Sequence, residues 1–339
     1  MIRSRLNAGP MWRRGIGVTA AAWLVALAAG NAHPVAAAES GPYPNRPIHI
    51  IAAAAAGTQL DTAARLIGAK LADAVGQPVA VENHPGASYN IASEIVAKSP
   101  ADGYTLLFTG SVITLLPSTL GKAAVDPIAS FAPISKLAGV PLVIVVNASL
   151  GVGTLDELLA LARQRPGRIA YSTTGIGTVP HLAATVIAER AGVELIHVPY
   201  ASGARAVTDL VSGEVPVSFT FMGPIDAHLR SGRLRALAVA GNHRMPAWPE
   251  IPTVVELGYK EATFDLWNGV LAPAGTPREI VDRLYREFAK IIHDPDVAER
   301  FAQTALEPVG SSPERFAADI REAVVRWPPI VRAAGIHPD

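Results

Sequence analysis

Residues 131–147 read FAPISKLAGVPLVIVVN. The run is apolar and extended in character, but Pro133 and Pro141 interrupt it, and a proline cannot donate to the ladder of a central strand. It is too long and too broken for one inner strand, so it reads as a crossing between two parts of the molecule. Upstream, extended runs at 47–53, 78–81 and 104–108 alternate with helical patterns at 61–75 and 90–98. Downstream the alternation restarts. Thr154 precedes a helix that ends near Arg165, and strands at 169–172, 195–198, 215–221 and 234–240 are separated by helices at 181–191, 204–212 and 224–231. A strand at 266–271 is followed by helices at 277–293, 296–304 and 313–334. Short apolar strands alternating with helices predict βαβ units and parallel pairing. The expected fold is therefore α/β with two lobes around a cleft. Its lobes are 39–143 with 241–339, and 144–240. The stretches near 140–147 and 240–241 are the expected hinge.

The chain has 339 residues, half of them apolar and 17% charged, enough for two domains with sizeable cores. The first 38 residues read as an export leader. Arg3, Arg5, Arg13 and Arg14 precede an apolar run at 15–30, and small residues at 35–38 suit a signal peptidase. Without that leader the chain carries 25 basic and 29 acidic residues, a net charge of −4. That balance offers no basic footprint for nucleic acid, and any anion site must be local. Cysteine is absent, which excludes thiol nucleophiles and thiolate metal sites. There is no Gly-x-Ser-x-Gly elbow, no His-Glu-x-x-His and no phosphate-binding Walker loop. The residues thus point to no catalytic centre, metal or cofactor. Gly175-Ile176-Gly177-Thr178-Val179-Pro180 resembles the start of a dinucleotide fingerprint, but Pro180 replaces the third glycine. Small residues and free amides at a helix start suit an anion better, and Pro180 fits the first turn.

A series of motifs runs in order along the chain: Tyr43-Pro-Asn-Arg-Pro-Ile, Val81-Glu-Asn-His-Pro-Gly-Ala, Ala101-Asp-Gly-Tyr-Thr-Leu-Leu and His197-Val-Pro-Tyr. Gly232-Arg-Leu-Arg-Ala-Leu-Ala-Val, Pro252-Thr-Val-Val-Glu and Leu271-Ala-Pro-Ala-Gly-Thr-Pro follow. The set resembles the Bug-type substrate-binding receptors of tripartite tricarboxylate transporters. The resemblance implies a type II-like periplasmic-binding-protein fold whose lobes close on a small organic anion: a carboxylate, an amino acid or a related compound. It implies a periplasmic location, with a tripartite membrane transporter or a sensor protein as partner, and a monomer is expected. It also implies that loop amides, hydroxyls and waters hold the anion without an arginine clamp. Asp61, Ser111, Thr174, Thr178 and His181 fall at positions matching the family's cleft loops.

Residue chemistry adds to that set. Gly57, Thr58 and Gln59 precede one helix, Gly175 lets backbone approach a ligand, and Tyr200 and Ser202 follow a strand at the expected cleft. Each has a plainer alternative. Asp61 suits an N-cap, the threonines can satisfy helix amides, His181 and Tyr200 can be packing residues, and Arg205 a solvated one. The sequence departs from the family at 52–56, five alanines where Pro and Gly are usual, and at Phe219-Thr220-Phe221. Alanine tolerates positive φ poorly, so an altered first loop is expected. Two other functions stay open: a lyase or isomerase using Asp61 and His181 as an acid–base pair, and a ligand-dependent signalling adaptor.

Overall fold

A computed structural model describes residues 42–121 and 124–336. The expected leader, 1–38, lies outside the described residues. The first part of the chain runs β1 (Ile48–Ala52), α1 (Gln59–Val75), β2 (Val79–Asn83), α2 (Asn90–Ala97), β3 (Thr105–Gly110), α3 (Leu116–Thr119) and β4 (Phe131–Gly139). The middle runs β5 (Leu142–Asn147), α4 (Leu155–Gln164), β6 (Ile169–Thr173), α5 (Val179–Ala191), β7 (Leu195–Pro199), α6 (Gly203–Ser212), β8 (Val217–Phe221), α7 (Asp226–Arg230) and β9 (Leu234–Val239). The chain ends with β10 (Trp267–Pro273), α8 (Arg278–Ile292), α9 (Pro295–Gln303), β11 (Glu307–Pro308) and α10 (Pro313–Ala333).

Two sheets result, ordered β11-β4-β10-β3-β1-β2 and β7-β6-β8-β5-β9. The expected parallel pairing holds where helices make the crossovers: β1 with β2 and β3, and β6 with β7 and β8. It fails at β5, antiparallel to β8 and β9, and at β10, antiparallel to β3 and β4. Each of these strands enters its sheet directly from the other half of the chain. A strand inserted that way is not part of a βαβ unit, and so is not bound to the parallel direction such a unit imposes.

The crossing is confined to Val140 and Pro141. All six residues of β5 are buried and form an inner strand, so 142–147 does not belong to a hinge. The Val140 amide donates to the Leu266 carbonyl at 2.8 Å, placing the outgoing and returning crossings side by side. Residues 241–264 pack against the second sheet: Met245 and Ile251 share a core with Val143, Val145 and Leu234. The return to the first sheet therefore comes at Asp265–Leu266, not at 240–241.

Alternation explains the first sheet's two cores. In β1, Ile48, Ile50 and Ala52 face α1 and α8, meeting Ile67, Leu71 and Phe288, whereas Ile51 faces the opposite layer with Trp267, Phe316 and Ile320. Burying such a side chain is worth about 1.5–3 kcal/mol. Helix α10 serves both halves, because its later residues Trp327 and Val331 join the second sheet's core. The Trp327 indole N–H donates to Thr114 Oγ1 at 2.8 Å, and Thr114 in turn donates to the Ser111 carbonyl at 2.7 Å. Among the described residues, no helix is long and apolar enough to cross a membrane.

Candidate functional site

The carboxyl ends of β1 and β6 lead into loops built on one plan. Gly57-Thr58-Gln59-Leu60-Asp61 opens α1, and Gly177-Thr178-Val179-Pro180-His181 opens α5. Each glycine takes positive φ, +80° at Gly57 and +76° at Gly177. Each threonine is the extended N-cap and donates its hydroxyl to the carbonyl three residues back, Thr58 to Ala55 and Thr178 to Gly175, both at 2.8 Å. In each, the third helical residue reaches back to the glycine amide. Gly57 N–H donates to Asp61 Oδ2 at 2.8 Å, and Gly177 N–H to His181 Nδ1 at 3.2 Å. This is a variant of the capping box, displaced by one residue. The remaining first-turn amides have no helical carbonyl to meet and carry the positive end of the helix dipole.

Both first turns border one cavity of about 230 Å³. Thr58, Gln59 and Leu60 line it from α1, Ser111 and Asn268 from the ends of β3 and β10, and Val179 and Phe221 from the second sheet's side. A second cavity of about 390 Å³ shares Tyr89, Val112, Val179 and Phe221 with the first and extends past Thr174, Thr178 and α3. Among the described residues, no charged side chain lines either space. A small anion can be met there by backbone amides and neutral groups, with water excluded by apolar walls.

Residues 63–336 match the family described as Tripartite tricarboxylate transporter family receptor. The chain is 36% identical to protein BugT of Bordetella pertussis over 91% of its own length and 94% of that protein's. An R. palustris protein solved with adipate is 32% identical, covers 88% of this chain with 100% of its own, and superposes with a TM-score of 0.74. The periplasmic binding protein BugD is 30% identical, with the same coverage and a TM-score of 0.72. The chain belongs to this receptor family. As a family member it is a two-lobed solute receptor and not an enzyme.

The receptor brings together Thr58, Gln59, Ser111, Thr174 and Thr178 at the two cavities, while Gly57 and Gly175 supply loop turns. Three expected roles change. The proton of each threonine hydroxyl is committed to a loop carbonyl, so both threonines brace loops before they can meet a ligand. Gln59 donates its amide to the Thr304 carbonyl at 2.6 Å. Asp61 is not the N-cap and lines neither of these two cavities. Thr58 caps, and Asp61, 3% exposed, is turned back to receive Gly57, the Asn83 amide at 2.8 Å and Arg65 at 2.9 Å. Burial alone would raise the Asp61 carboxyl, but these donors outweigh it and hold it below the usual carboxylate range.

The other expected residues lie outside the two cavities. His181 sits behind the second loop, stacked on His197 at 4.2 Å, so Asp61 and His181 brace separate loops and form no acid–base pair. The Tyr200 hydroxyl donates to Asp209, which also pairs with Arg205, and Ser202 is the exposed N-cap of α6. The alanine-rich loop is unstrained, because its positive φ falls on Gly57 and on none of the residues 52–56. Among the described residues, no group of three His, Cys, Asp or Glu is placed to hold a metal.

Sequence reasoning missed Tyr89 and Asn268. Tyr89 ends three successive residues of positive φ, at +43°, +51° and +80°, a shape set by tertiary packing. Asn268 had a legible signal: it is the one amide in the otherwise apolar Trp267–Pro273 strand, and a buried amide in such a strand needs a partner.

The second loop gives a pH prediction. His197 Nε2 lies 2.7 Å from Thr173 Oγ1, which accepts the Gly175 amide at 3.2 Å. Burial, followed by the nearby His181, pushes His197 down to about 4, and burial lowers His181 too. Between about 4, where His197 titrates in the fold, and the ordinary value near 6.5, the unfolded chain binds more protons than the folded one. Stability is therefore fully present above about pH 6.5 and is lost on acidification towards 4. His197→Asn should flatten that loss in thermal melts from pH 7 to 4. An unchanged pH profile would remove His197 as its cause.

Proposed function

We propose that this receptor captures a small carboxylate in the periplasm and presents it to a tripartite membrane transporter. The observation that carries the reading is the pair of Gly-Thr-x-x-Asp/His loops, whose helix starts border one cavity free of charged side chains. Two partial positive helix ends suit a carboxylate without an ion pair, and hydrogen bonds to a charged partner are worth about 1.5–3 kcal/mol each. The adipate in a solved relative supports the ligand class, and BugD, a periplasmic binding protein, supports the location. The lobes meet at two short crossings, 140–141 and 265–266, and closure about them would seal the cavity.

Calorimetry on ligand-free protein with a panel of small carboxylates tests the proposal. Saturable one-to-one binding is expected, and Arg205→Ala should shift affinity less than twofold, since Arg205 pairs with Asp209 away from both cavities. Loss of binding in Arg205→Ala would instead indicate an ion-pair clamp. Failure of every carboxylate in the panel would sink the proposed ligand class.

A further inference from the structure

We infer that the ligand is amphipathic, with its carboxylate head against α1, Ser111 and Asn268 and an apolar body running into the cavity beside α3 and α5. The inference rests on the carboxylate reading above and adds orientation, chemical class and a head-group contact to it.

Asn268 is the first ground. It is 5% exposed, borders the 230 Å³ cavity, and its side-chain amide nitrogen is buried without a hydrogen-bond partner. Leaving such a group unmet costs about 1–3 kcal/mol, and a ligand in the bordering cavity is the partner assigned to it. The surrounding sequence makes room for it. Asn268 lies opposite Gly110 on β3, and a Cβ at Gly110 would stand 3.4 Å from Asn268 Oδ1 and 3.4 Å from the Tyr89 ring. Ser111 follows on the same side, 6% exposed and bordering the same cavity.

The second ground is an asymmetry between the two matched loops. The first turn of α1 offers amides from both Gln59 and Leu60. At the equivalent pair in α5, Val179 has an amide but Pro180 has none. Charge is therefore better met at α1. The third ground is the wall of the 390 Å³ cavity, built largely from Val112, Leu115, Leu120, Ile176, Val179 and Ile336. The Thr119 hydroxyl there is turned to the carbonyls of its own helix, at 3.3 and 3.4 Å. A second carboxylate in that space would lose water with only the Ser88 and Thr174 hydroxyls and the Val179 amide to replace it, fewer donors than the head meets at α1.

Calorimetry with octanoate, suberate and butyrate tests this, because the first two share chain length and differ in one carboxylate. Octanoate should bind at least tenfold more tightly than either of the others. Asn268→Leu should weaken octanoate at least tenfold while the melting temperature holds or rises, since an unmet buried amide is removed. Thr119→Trp, which narrows the second cavity, should weaken octanoate about tenfold and leave butyrate unchanged. Suberate binding as tightly as octanoate, or an undiminished affinity in Asn268→Leu, would overturn the inference and leave the carboxylate reading standing. Failure of all three acids together with the wider panel would overturn both.

Discussion

Lys136→Met is expected to cost about 3 kcal/mol of stability, measured by urea unfolding, because it strands a buried carboxylate. Lys136 is 8% exposed on β4, and its ammonium lies 2.6 Å from Asp319 on α10 and 2.8 Å from Asp265 at the returning crossing. Burial by itself would lower the lysine, but the two carboxylates outweigh it and raise it. Removing one member of a buried pair typically costs about 3–5 kcal/mol, and the lower end applies because Arg315 still reaches Asp319 at 2.8 Å. The double variant Lys136→Met with Asp319→Leu should recover most of the loss, since an apolar replacement of the whole pair is close to neutral. A single-variant cost under about 1 kcal/mol, within the range of an exposed pair, would mean that the cluster is solvated. The cluster joins β4, a crossing and α10, so its loss should also loosen the relation between the halves.

Asp61→Ala is expected to abolish most ligand affinity, by at least tenfold, and to cost about 2–3 kcal/mol of stability. The substitution frees the Gly57 amide and the Asn83 side chain together, and both hold the turn that presents the α1 amides. Asn83 also donates to the Ala54 carbonyl at 3.0 Å, so the disturbance reaches the end of β1. His181→Ala breaks the equivalent brace on the other loop, but that bond is neutral and 3.2 Å long, so its effect should be several-fold smaller. Calorimetry and unfolding on both variants check the order. A larger loss in His181→Ala would place the principal anion contact at α5. The Asp61 carboxyl is held below its ordinary value, so its brace should be intact at the ordinary aspartate pKa near 4 and fail only on further acidification.

The order of elements was legible because it is written locally. Apolar runs of strand length, Thr154 before α4 and the interruption at Pro141 each act within a few residues of themselves. The family was legible for a related reason: its motifs are short contiguous stretches in loops and at strand ends. The loops at 57–61 and 177–181 were both singled out, yet their common plan was not. The match lies in which atom accepts the glycine amide, a carboxylate oxygen in one and an imidazole nitrogen in the other, and residue identity hides it.

What tertiary structure alone decided has one physical source, contact between segments far apart in the chain. The antiparallel insertion of β5 and β10 depends on strands that meet across 71 to 164 residues, as Val146 with Val217 and Leu271 with Leu107. The inward turn of Asp61 depends on Asn83, and the stacking of His181 on His197 depends on β7. Asn268 became a candidate contact only when the strand carrying it was seen beside Gly110 with its amide unmet. Local propensity determined which elements this chain makes, and the pairing of distant polar groups decided which side chains are left over for a ligand.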